Sequence, residues 1–374
     1  MARSFSYKKS GVNIDVADAT KRAMAKSLAP VDRRVLNRIG AFAALFEARF
    51  PGIKHPVLVL KMEEPGSKQK IALKAGRIRS IANDLVNHLV NDIIVMGARP
   101  LAVQDVIVCG KIEKPVVAGL VDAMAEACRE QDCSLTGGET SEQPGVLEAG
   151  AYVLAASIVG VVEKSRIIDG SRIAKGDAVL AVASNGLHTN GYSLVRRLMA
   201  EKPEILRRRI LVGGDPCVPP LAVSKRQETA EAESFLDAIL RPHTCYWQGI
   251  KGLLSHGRAR HAVPLQEIRG MAHITGGGIQ DNLNRILPAK LDAAVDLGAI
   301  RILPVFKVIR EVGSIPDADM ARTFNLGVGM TLVVKPSAVE RVRRHLKRKG
   351  HESYVIGEIV PGRKRVAYSG KLNW

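Results

Sequence analysis

Residues 80–110 restrict the fold more than any other part of the sequence. The segment "SIANDLVNHLVNDIIVMG" ends at Gly97, a typical helix stop, and its apolar residues recur at helical spacing: Ile81, Leu85, Leu89, Ile93 and Met96. The apolar run "LAVQDVIVCG" follows and predicts a strand. A second helix is predicted from about Lys114 to Gln131, with Pro115 in its first turn. This alternation of helix and strand favours α/β units.

The length of 374 residues predicts two domains, because a single hydrophobic core stops growing well below that length. The β-rich run "AYVLAASIVGVVEK" is followed by "IIDGSRIAKGD", whose glycines and charges are typical of a domain boundary. Strands and helices alternate again beyond it. We therefore expect an α+β protein made of two α/β domains, the first at residues 1–170 and the second at residues 171–374.

The segment "VLVLKMEEPGSKQK", residues 57–70, changes abruptly from apolar residues to carboxylates, a Pro-Gly pair and cations. A short apolar run that ends at proline and glycine predicts a buried strand entering a loop. The loop could hold a metal ion and a phosphate, or it could be a solvated turn. The residues alone leave both possibilities open.

Two glycine-containing loops are candidates for anion binding. In "HITGGGIQDNL", Gly276, Gly277 and Gly278 could bring bare backbone N–H groups close to an anion, and the following helix would add its positive end. The alternative is a tight turn without a ligand.

The second candidate loop is "NGLHTNGYSLVRR", in which Asn190 or Thr189 is predicted to cap a helix that begins near Tyr192. His188 is either an ordinary loop histidine or a donor or acid for a phosphoryl or amide oxygen.

Acidic residues stand in unusual places. Glu139 and Glu142 follow two glycines in "LTGGETSEQPG", which predicts an acidic loop, and Asp92 lies in an apolar helix. A carboxylate among apolar residues is costly unless it is hydrogen-bonded or faces a cation. Mg²⁺ takes oxygen ligands and bridges carboxylates to nucleotide phosphates, so these patterns indicate metal-nucleotide chemistry, with capping or ion pairing as the alternative. The sequence contains no P-loop, dinucleotide fingerprint or kinase signature, so an ATP site would have another architecture.

The formal net charge of +18 would attract phosphates, nucleic acids or acidic surfaces alike. Aromatic residues make up only 4% of the sequence, so platforms for base stacking are scarce, and we expect no specific nucleic-acid binding. No apolar run reaches the length of a membrane span, and the N-terminus lacks the apolar core of a signal peptide. We therefore expect no membrane association and a cytoplasmic location.

Several segments together resemble one known family. They include "SYKKSGVNID", "DLVNHLVNDIIVMGARPLAVQDVIVCGKI", "LTGGETSEQPG", "NGLHTNGYSLVRRL", "HITGGGIQDNLNRILP", "PVFKVIREVG" and "RTFNLGVGMTLVV". In this order the chain resembles phosphoribosylformylglycinamidine cyclo-ligase, the aminoimidazole ribonucleotide synthetase of purine biosynthesis, from residue 5 to about residue 360.

The resemblance implies an aminoimidazole ribonucleotide synthetase-like fold. It implies a homodimer whose N-terminal domains, which bind ATP, pair strands into a β-barrel, while each C-terminal α/β domain closes an active site. It also implies a reaction in which ATP activates the formyl amide oxygen of formylglycinamidine ribonucleotide and a nitrogen then closes the imidazole ring with loss of phosphate. Such chemistry needs Mg²⁺ to neutralise phosphate charge, donors for the transferred group, and exclusion of water.

The family motifs also imply roles for individual residues. The catalytic residues would be His188, Asp92 and Glu139, and the magnesium ligands would be Glu63 and Asp92. The residues implied to bind ATP or phosphate lie in the "MEEPGSK" loop, the Asp92 helix and the two glycine-containing loops: Gly66, Lys68, Asp84, Asn190, Gly276, Gly277, Gly278 and Asn282.

The "MEEPGSK" loop departs from the family pattern "TDGVGTK". It keeps Gly66 and Lys68, but Glu63 stands where aspartate is usual, and Pro65, which fixes φ, stands where valine is usual. We predict that the loop still lines the ATP site, with Glu63 reaching one methylene further toward magnesium. The alternative is a turn in which Glu63 and Glu64 merely balance nearby lysines.

Other functions in the same superfamily compete with the cyclo-ligase. Selenophosphate synthetase and the hydrogenase-maturation dehydratase rely on a terminal reactive cysteine, whereas here no cysteine precedes Cys109 and the tail "GKLNW" has none. The sequence therefore favours the cyclo-ligase. A non-catalytic or retuned paralogue that binds nucleotide or a partner stays open, because the fold alone does not fix the activity.

Overall fold

A computed structural model of the chain describes residues 13–25, 28, 32–37, 42–211, 232–254 and 267–374. The chain divides into two compact units. Unit 1 contains the described residues up to Ile94 together with Ala98–Ile167, and unit 2 contains Val95–Gly97 and Ile168–Trp374. The segment "SYKKSGVNID" begins outside the described residues. In the ranges that are described, no helix is both long enough and apolar enough to cross a bilayer.

Unit 1 is built on a four-stranded sheet. Its strands are β1 (Pro56–Glu63), β2 (Arg99–Cys109), β3 (Ser134–Glu142) and β4 (Tyr152–Glu163). Their order in the sheet is β1-β4-β2-β3, in which β4 is antiparallel to β1 and β2, and β2 is parallel to β3. The described helices are α1 (Ile14–Met24), α2 (Lys68–Lys74), α3 (Ile78–Ile94) and α4 (Lys114–Glu130). Helix α4 supplies the crossover that a parallel strand pair requires.

Helix α3 packs against α4 and the sheet and forms the core of unit 1. The predicted helical spacing is confirmed for Ile81, Leu85, Leu89 and Ile93, which are all buried on this helix, but it is wrong for Met96, which is 37% exposed and lies beyond the helix end. Burial of each such side chain contributes roughly 1.5–3 kcal/mol. Asp92 therefore stands on a helix that hydrophobic packing holds firmly.

The strand predicted from "VLVLKMEEPGSKQK" forms as β1, but the prediction that it is buried is wrong. Leu58, Leu60 and Met62 are 55%, 70% and 67% exposed. Side chains alternate along a strand, so these three share one face, whereas Lys61 and Glu63 share the other. The run "VLVL" is apolar on both faces, and the sequence therefore could not show which face the protein covers.

Unit 2 contains a six-stranded sheet and a separate strand pair. Its strands are β5 (Ala178–Ala183), β6 (Arg209–Leu211), β7 (Ala232–Ser234), β8 (Ile268–His273), β9 (Leu291–Asp296), β10 (Val328–Val334), β11 (Ser353–Pro361) and β12 (Val366–Ser369). The large sheet has the order β12-β9-β11-β5-β10-β8, and β6 pairs with β7. Only the β12–β9 pairing is parallel among the described pairs of this sheet. The described helices are α5 (Tyr192–Glu201), α6 (Phe235–Ile239), α7 (Trp247–Leu254), α8 (Gly278–Arg285), α9 (Pro304–Gly313), α10 (Asp317–Thr323) and α11 (Val339–Arg348).

Two local predictions are wrong for steric reasons. The segment predicted as an acidic loop forms β3, in which Gly138 lies against β2: a Cβ there would be 1.9 Å from the carbonyl oxygen of Asp105. Helix α5 is preceded by Gly191 in the left-handed conformation, and neither Asn190 nor Thr189 caps it. A Cβ on Gly191 would lie 2.2 Å from the ring of Phe324. Both glycines allow a close approach that another residue would block.

Candidate functional site

Near the end of β1, one lysine bridges the two residues predicted to hold magnesium. The Nζ atom of Lys61 lies 2.5 Å from Oε1 of Glu63 and 3.2 Å from Oδ2 of Asp92. His88, one turn before Asp92 on α3, places its Nε2 atom 3.7 Å from the same Asp92 oxygen. We call Lys61, Glu63, Asp92 and His88 the Lys61 cluster. Burial lowers the pKa of Lys61, but its hydrogen bond to Glu63 and the nearby carboxylate charges outweigh burial and hold that pKa above its ordinary value.

The Lys61 cluster has the right ligand chemistry for magnesium but the wrong arrangement. Mg²⁺ prefers carboxylate oxygens at about 2.0–2.1 Å, and Glu63 and Asp92 do lie close to each other, as predicted. However, the ammonium of Lys61 contacts both carboxylates, and a divalent cation placed between them would be strongly repelled by it. As the structure stands, these residues do not fit a magnesium ion.

Lys68, predicted to contact a phosphate, lies inside unit 1 beside Asp84. Its Nζ atom is 2.9 Å from Oδ1 and 2.8 Å from Oδ2 of Asp84, and both side chains have 0% exposure. Burial lowers the pKa of Lys68, and the charge and hydrogen bond of Asp84 oppose this. Removal of either partner of a buried ion pair leaves an uncompensated buried charge, which strongly destabilises the fold. The placement therefore favours a structural role for Lys68 and Asp84, joining α2 to α3, over the predicted phosphate contact.

Gly66 turns the chain from β1 into α2. Its φ of 63° lies in the left-handed region that favours glycine, and its carbonyl oxygen accepts the N–H of Gln69 at 3.2 Å. This conformation accounts for the glycine without a ligand.

Glu139 lies in the wall of a cavity of about 680 Å³ within unit 1. The same wall contains Asp105 of β2 and Met62 of β1. Burial raises the pKa of Asp105 to about 7, although a hydrogen bond from its own backbone opposes this. The Asp105 side chain is 4% exposed and shares the covered face of β2 with Val103 and Ile107, so burial under that face, rather than the cavity, accounts for its raised pKa.

Sequence reasoning missed Asp105, although the signal was present. It is a carboxylate in the apolar run "LAVQDVIVC", which is the same kind of signal that pointed to Asp92.

Unit 2 gathers three buried histidines, His188, His243 and His273, which we call the histidine cluster. The rings of His188 and His243 stack with centroids 3.8 Å apart, and Nε2 of His243 lies 2.9 Å from Nε2 of His273. His188 has a φ of 60°, an unusual conformation for a residue other than glycine. Each histidine offers a ring nitrogen within 4.8 Å of the others. Such a nitrogen set suits zinc or another transition metal rather than magnesium.

The histidine cluster depends on a glycine in β10. A Cβ on Gly329 would lie 1.9 Å from Oη of Tyr246 and 2.7 Å from Cε1 of His188. Tyr246, which is buried, donates its hydroxyl to the carbonyl oxygen of Ala183 at 2.9 Å. Sequence reasoning missed His243 and Tyr246, because "RPHTCYW" has no motif or periodicity that links it to His188.

The glycine loop before α8 is held mainly by its own hydrogen bonds. The N–H of Gly277 donates to the carbonyl oxygen of Arg322, and the N–H of Gly278 donates to that of Thr275, each at 3.1 Å. The expectation of bare N–H groups is therefore wrong for these two glycines. Nδ2 of Asn282 donates to the carbonyl oxygens of Gly276 and Gly278 at 3.1 and 2.8 Å. Asn282 therefore fixes the loop from within.

Asn190 lies beside the same loop. A Cβ on Gly276 would be 3.4 Å from Oδ1 of Asn190. The Nδ2 atom of Asn190 is buried, and no described residue accepts a hydrogen bond from it. A buried donor without a partner costs about 1–3 kcal/mol, so this amide group is typical of a ligand contact.

Comparisons of sequence agree over both units. The family description "AIR synthase related protein, N-terminal domain" matches residues 53–162, and "AIR synthase related protein, C-terminal domain" matches residues 257–369. The phosphoribosylformylglycinamidine cyclo-ligase of Carboxydothermus hydrogenoformans is 38% identical over 366 residues, which are 96% of this chain and 98% of the relative. That of Sorangium cellulosum is 39% identical over 360 residues, which are 96% of each chain.

Comparisons of structure agree on the fold. The chain is similar to E. coli HypE, with a TM-score of 0.60 and 14% identity over 95% of this chain and 94% of the other. It is also similar to thiamine-monophosphate kinase from Stenotrophomonas maltophilia, with a TM-score of 0.56 and 16% identity over 97% and 98% of the two chains. The hydrogenase maturation protein HypE in complex with ATP gives a TM-score of 0.56 and 17% identity over 96% and 92%. At these identities the likeness shows the fold, and the predicted fold class is confirmed.

Proposed function

The chain belongs to the phosphoribosylformylglycinamidine cyclo-ligase family, and from this we infer that it is an ATP-dependent ligase of purine biosynthesis. It converts formylglycinamidine ribonucleotide and ATP into aminoimidazole ribonucleotide, ADP and phosphate. The observation that carries this proposal is the extent of the match, which covers 96% of this chain and 98% of a cyclo-ligase at 38% identity. A match of that extent includes both units.

The loops of unit 2 offer the groups that phosphoryl transfer needs. The transferred group carries negative charge on its oxygens, and fixed donors that face this charge lower the barrier. Nδ2 of Asn190 is a buried donor without a described partner beside Gly276. We assign it to a phosphate or amide oxygen. His188, held by stacking on His243, would act as the donor or acid on the activated oxygen.

In unit 1 we assign the cavity beside Glu139 to a bound substrate. The proposal keeps Asp92 and Glu139 as predicted catalytic residues, but it does not keep Glu63 and Asp92 as magnesium ligands, because the Lys61 ammonium contacts both carboxylates. When it is bound, magnesium would neutralise phosphate charge. The Lys61 cluster is not arranged for that ion, so no step is assigned to a metal there.

The proposal includes a homodimer and a cytoplasmic location. An exposed apolar face on the sheet of unit 1 supports the dimer, because monomers rarely leave such a face in water. It includes Leu58, Leu60 and Met62 on β1 and Val153 on β4. A second copy of the same sheet is the proposed partner of this face.

Light scattering tests the dimer and should give twice the mass of one chain. Leu60→Asp should lower the measured mass to that of one chain. A wild-type protein that stays monomeric at high concentration would contradict the dimer.

The enzyme proposal is tested by incubating the purified protein with formylglycinamidine ribonucleotide, ATP and Mg²⁺. We expect ADP and aminoimidazole ribonucleotide to form in equal amounts. The matched control omits the ribonucleotide and should release little ADP. ADP release that is independent of the ribonucleotide, or no turnover by a folded protein that binds ATP, would contradict the cyclo-ligase.

The second candidate function is a non-catalytic or retuned paralogue that binds a nucleotide or a partner. The observation that favours it is the Lys61 ammonium between Glu63 and Asp92, two residues that the family resemblance assigns to magnesium. The same assay separates the two functions, because a paralogue of this kind would bind ATP without forming aminoimidazole ribonucleotide.

A further inference from the structure

We propose that the ammonium group of Lys61 takes the place of a divalent cation between Glu63 and Asp92. The metal requirement of unit 1 would then be met in part by the chain itself. The inference rests on the proposed function only in treating these carboxylates as part of the ATP site.

The geometry of β1 determines where the ammonium lies. Lys61 and Glu63 are two residues apart, so they project from the same face of the strand, whereas Met62 between them is 67% exposed on the other face. That first face brings Lys61 to Asp92 of α3. One Nζ atom thus contacts carboxylates from two different elements, at 2.5 and 3.2 Å.

Electrostatics favour the internal cation. Two carboxylates held this close repel each other, and the repulsion is stronger in a partly buried site than in water. The Asp92 and Glu63 side chains are 17% and 25% exposed, so water screens them only in part. The ammonium relieves the repulsion, because one Nζ atom contacts both carboxylates.

A metal ion would have to displace this ammonium before it could bind. With Lys61 charged, the group of Lys61, Glu63 and Asp92 carries one net negative charge; without it the group carries two. One more net negative charge at contact distance in a partly buried site should strengthen the binding of a divalent cation by at least about 1.4 kcal/mol. This corresponds to a tenfold higher affinity for the cation. Removal of the ammonium should therefore create a divalent-cation site from residues that are already in place.

The rest of unit 1 follows the same pattern. Asp84, another acidic residue of α3 predicted for the ATP site, is also neutralised by a lysine, Lys68. Three of the predicted acidic residues, Glu63, Asp84 and Asp92, therefore each lie within 3.2 Å of a lysine Nζ atom. The difference is that Lys68 is fully buried, whereas the Lys61 side chain is 37% exposed and can swing away.

The test measures metal binding without turnover. Mn²⁺, which takes the same oxygen ligands as Mg²⁺ and gives a spectroscopic signal when free, is titrated into the nucleotide-free full-length protein. The variants are Lys61→Met and Lys61→Ala, and the matched control is Lys74→Ala, which removes an exposed lysine at the end of α2. We expect Lys61→Met to bind one additional Mn²⁺ at least tenfold more tightly than the wild-type protein and Lys74→Ala do. Adding Glu63→Gln to Lys61→Met should abolish the gain.

Equal Mn²⁺ affinity in the wild-type protein and Lys61→Met would overturn the inference, as would a gain that persists after Glu63→Gln. Lys61→Met keeps most of the side-chain stem, so it serves if Lys61→Ala does not fold. The outcome is independent of the enzyme assay: turnover without a gain in Mn²⁺ binding contradicts only this inference, and a gain without turnover contradicts only the proposed reaction.

Discussion

In unit 1, three carboxylates predicted for the site stand beside lysine ammonium groups, whereas in unit 2 the predicted site residues are histidine, asparagine and glycine, with no carboxylate among them. Glu63 and Asp92 share Lys61, and Asp84 pairs with Lys68. In unit 2, His188 is held by ring stacking, while Asn190 keeps a buried amide donor that no described residue uses.

The difference shows how each kind of group is kept inside a protein. A carboxylate that leaves water needs a cation nearby, and in unit 1 lysines of the chain itself supply it. A neutral imidazole or amide costs less to bury and can be positioned by packing, which leaves a polar atom ready for a ligand. Substitution of Lys68 or Asp84 should therefore act mainly through stability, and substitution of His188 mainly through turnover.

The largest effect on stability is expected for Lys68→Met. It leaves the Asp84 carboxylate at 0% exposure without its cation, and breaking a buried pair in this way costs about 3–5 kcal/mol. Urea unfolding monitored by circular dichroism measures the loss. Lys74→Ala should change the unfolding free energy by less than about 0.5 kcal/mol. The double variant Lys68→Met with Asp84→Leu should recover part of the loss, and a loss as small as that of Lys74→Ala would show that the pair is not a main support of unit 1.

In unit 2 the corresponding test is His188→Ala. We expect turnover to fall roughly 10²-fold, about 2.7 kcal/mol in the activation barrier, with a smaller change in ATP affinity, as for a residue that acts in the transition state. Steady-state kinetics and nucleotide binding measure the two quantities. His188→Asn is the control, because asparagine tolerates the positive φ that this position requires. Wild-type turnover in either folded variant would remove the imidazole from the chemistry.

Asp105 is a buried carboxylate of unit 1 with no described lysine contact, and it should make stability depend on pH. Its folded pKa of about 7 lies above its ordinary value of 3.8, so between these values the folded protein holds a proton that the unfolded chain has lost. Stability should therefore fall as pH rises from about 4 to about 7, by at most about 1.4 kcal/mol per pH unit. Asp105→Asn should flatten this dependence in urea unfolding at pH 5 and pH 8. The control Asp18→Asn, at an exposed position of α1, should leave it unchanged. Equal slopes for the wild-type protein and Asp105→Asn would exclude Asp105 as the cause.

Much of the helical structure was predictable because one face of each helix is apolar. The helix predicted from about Lys114 to Gln131 forms α4, and the spacing of α3 identified its buried side. The exposed face of β1 was not predictable, because both of its faces are apolar and neighbouring elements decide which one is covered.

The site was predictable in its residue types more than in its contacts. Asn190 and Gly276, which the resemblance implied bind ATP or phosphate, come together from separate loops. The position of the Lys61 ammonium could not be read from "VLVLKMEEPGSK", because it depends on which face of β1 meets α3, and sequence spacing does not show that pairing. The same is true of His243, which reaches His188 and His273 only through the folding of unit 2.

The smallest effect is expected for the stability of Lys61→Ala in the absence of metal, and it sharpens the contrast with Lys68. Both lysines contact carboxylates at similar distances, but the Lys61 side chain is 37% exposed, whereas Lys68 has 0% exposure. Water can solvate Glu63 and Asp92 once the ammonium is gone, so the loss in unfolding free energy should be below about 1 kcal/mol. Urea unfolding in chelator measures it, and added Mn²⁺ should raise the stability of Lys61→Ala above that of the wild-type protein under the same conditions, because a ligand that binds only the folded state stabilises it. A loss as large as that of Lys68→Met would show that Lys61 is a structural support and that burial, rather than exchange with a metal ion, explains its position.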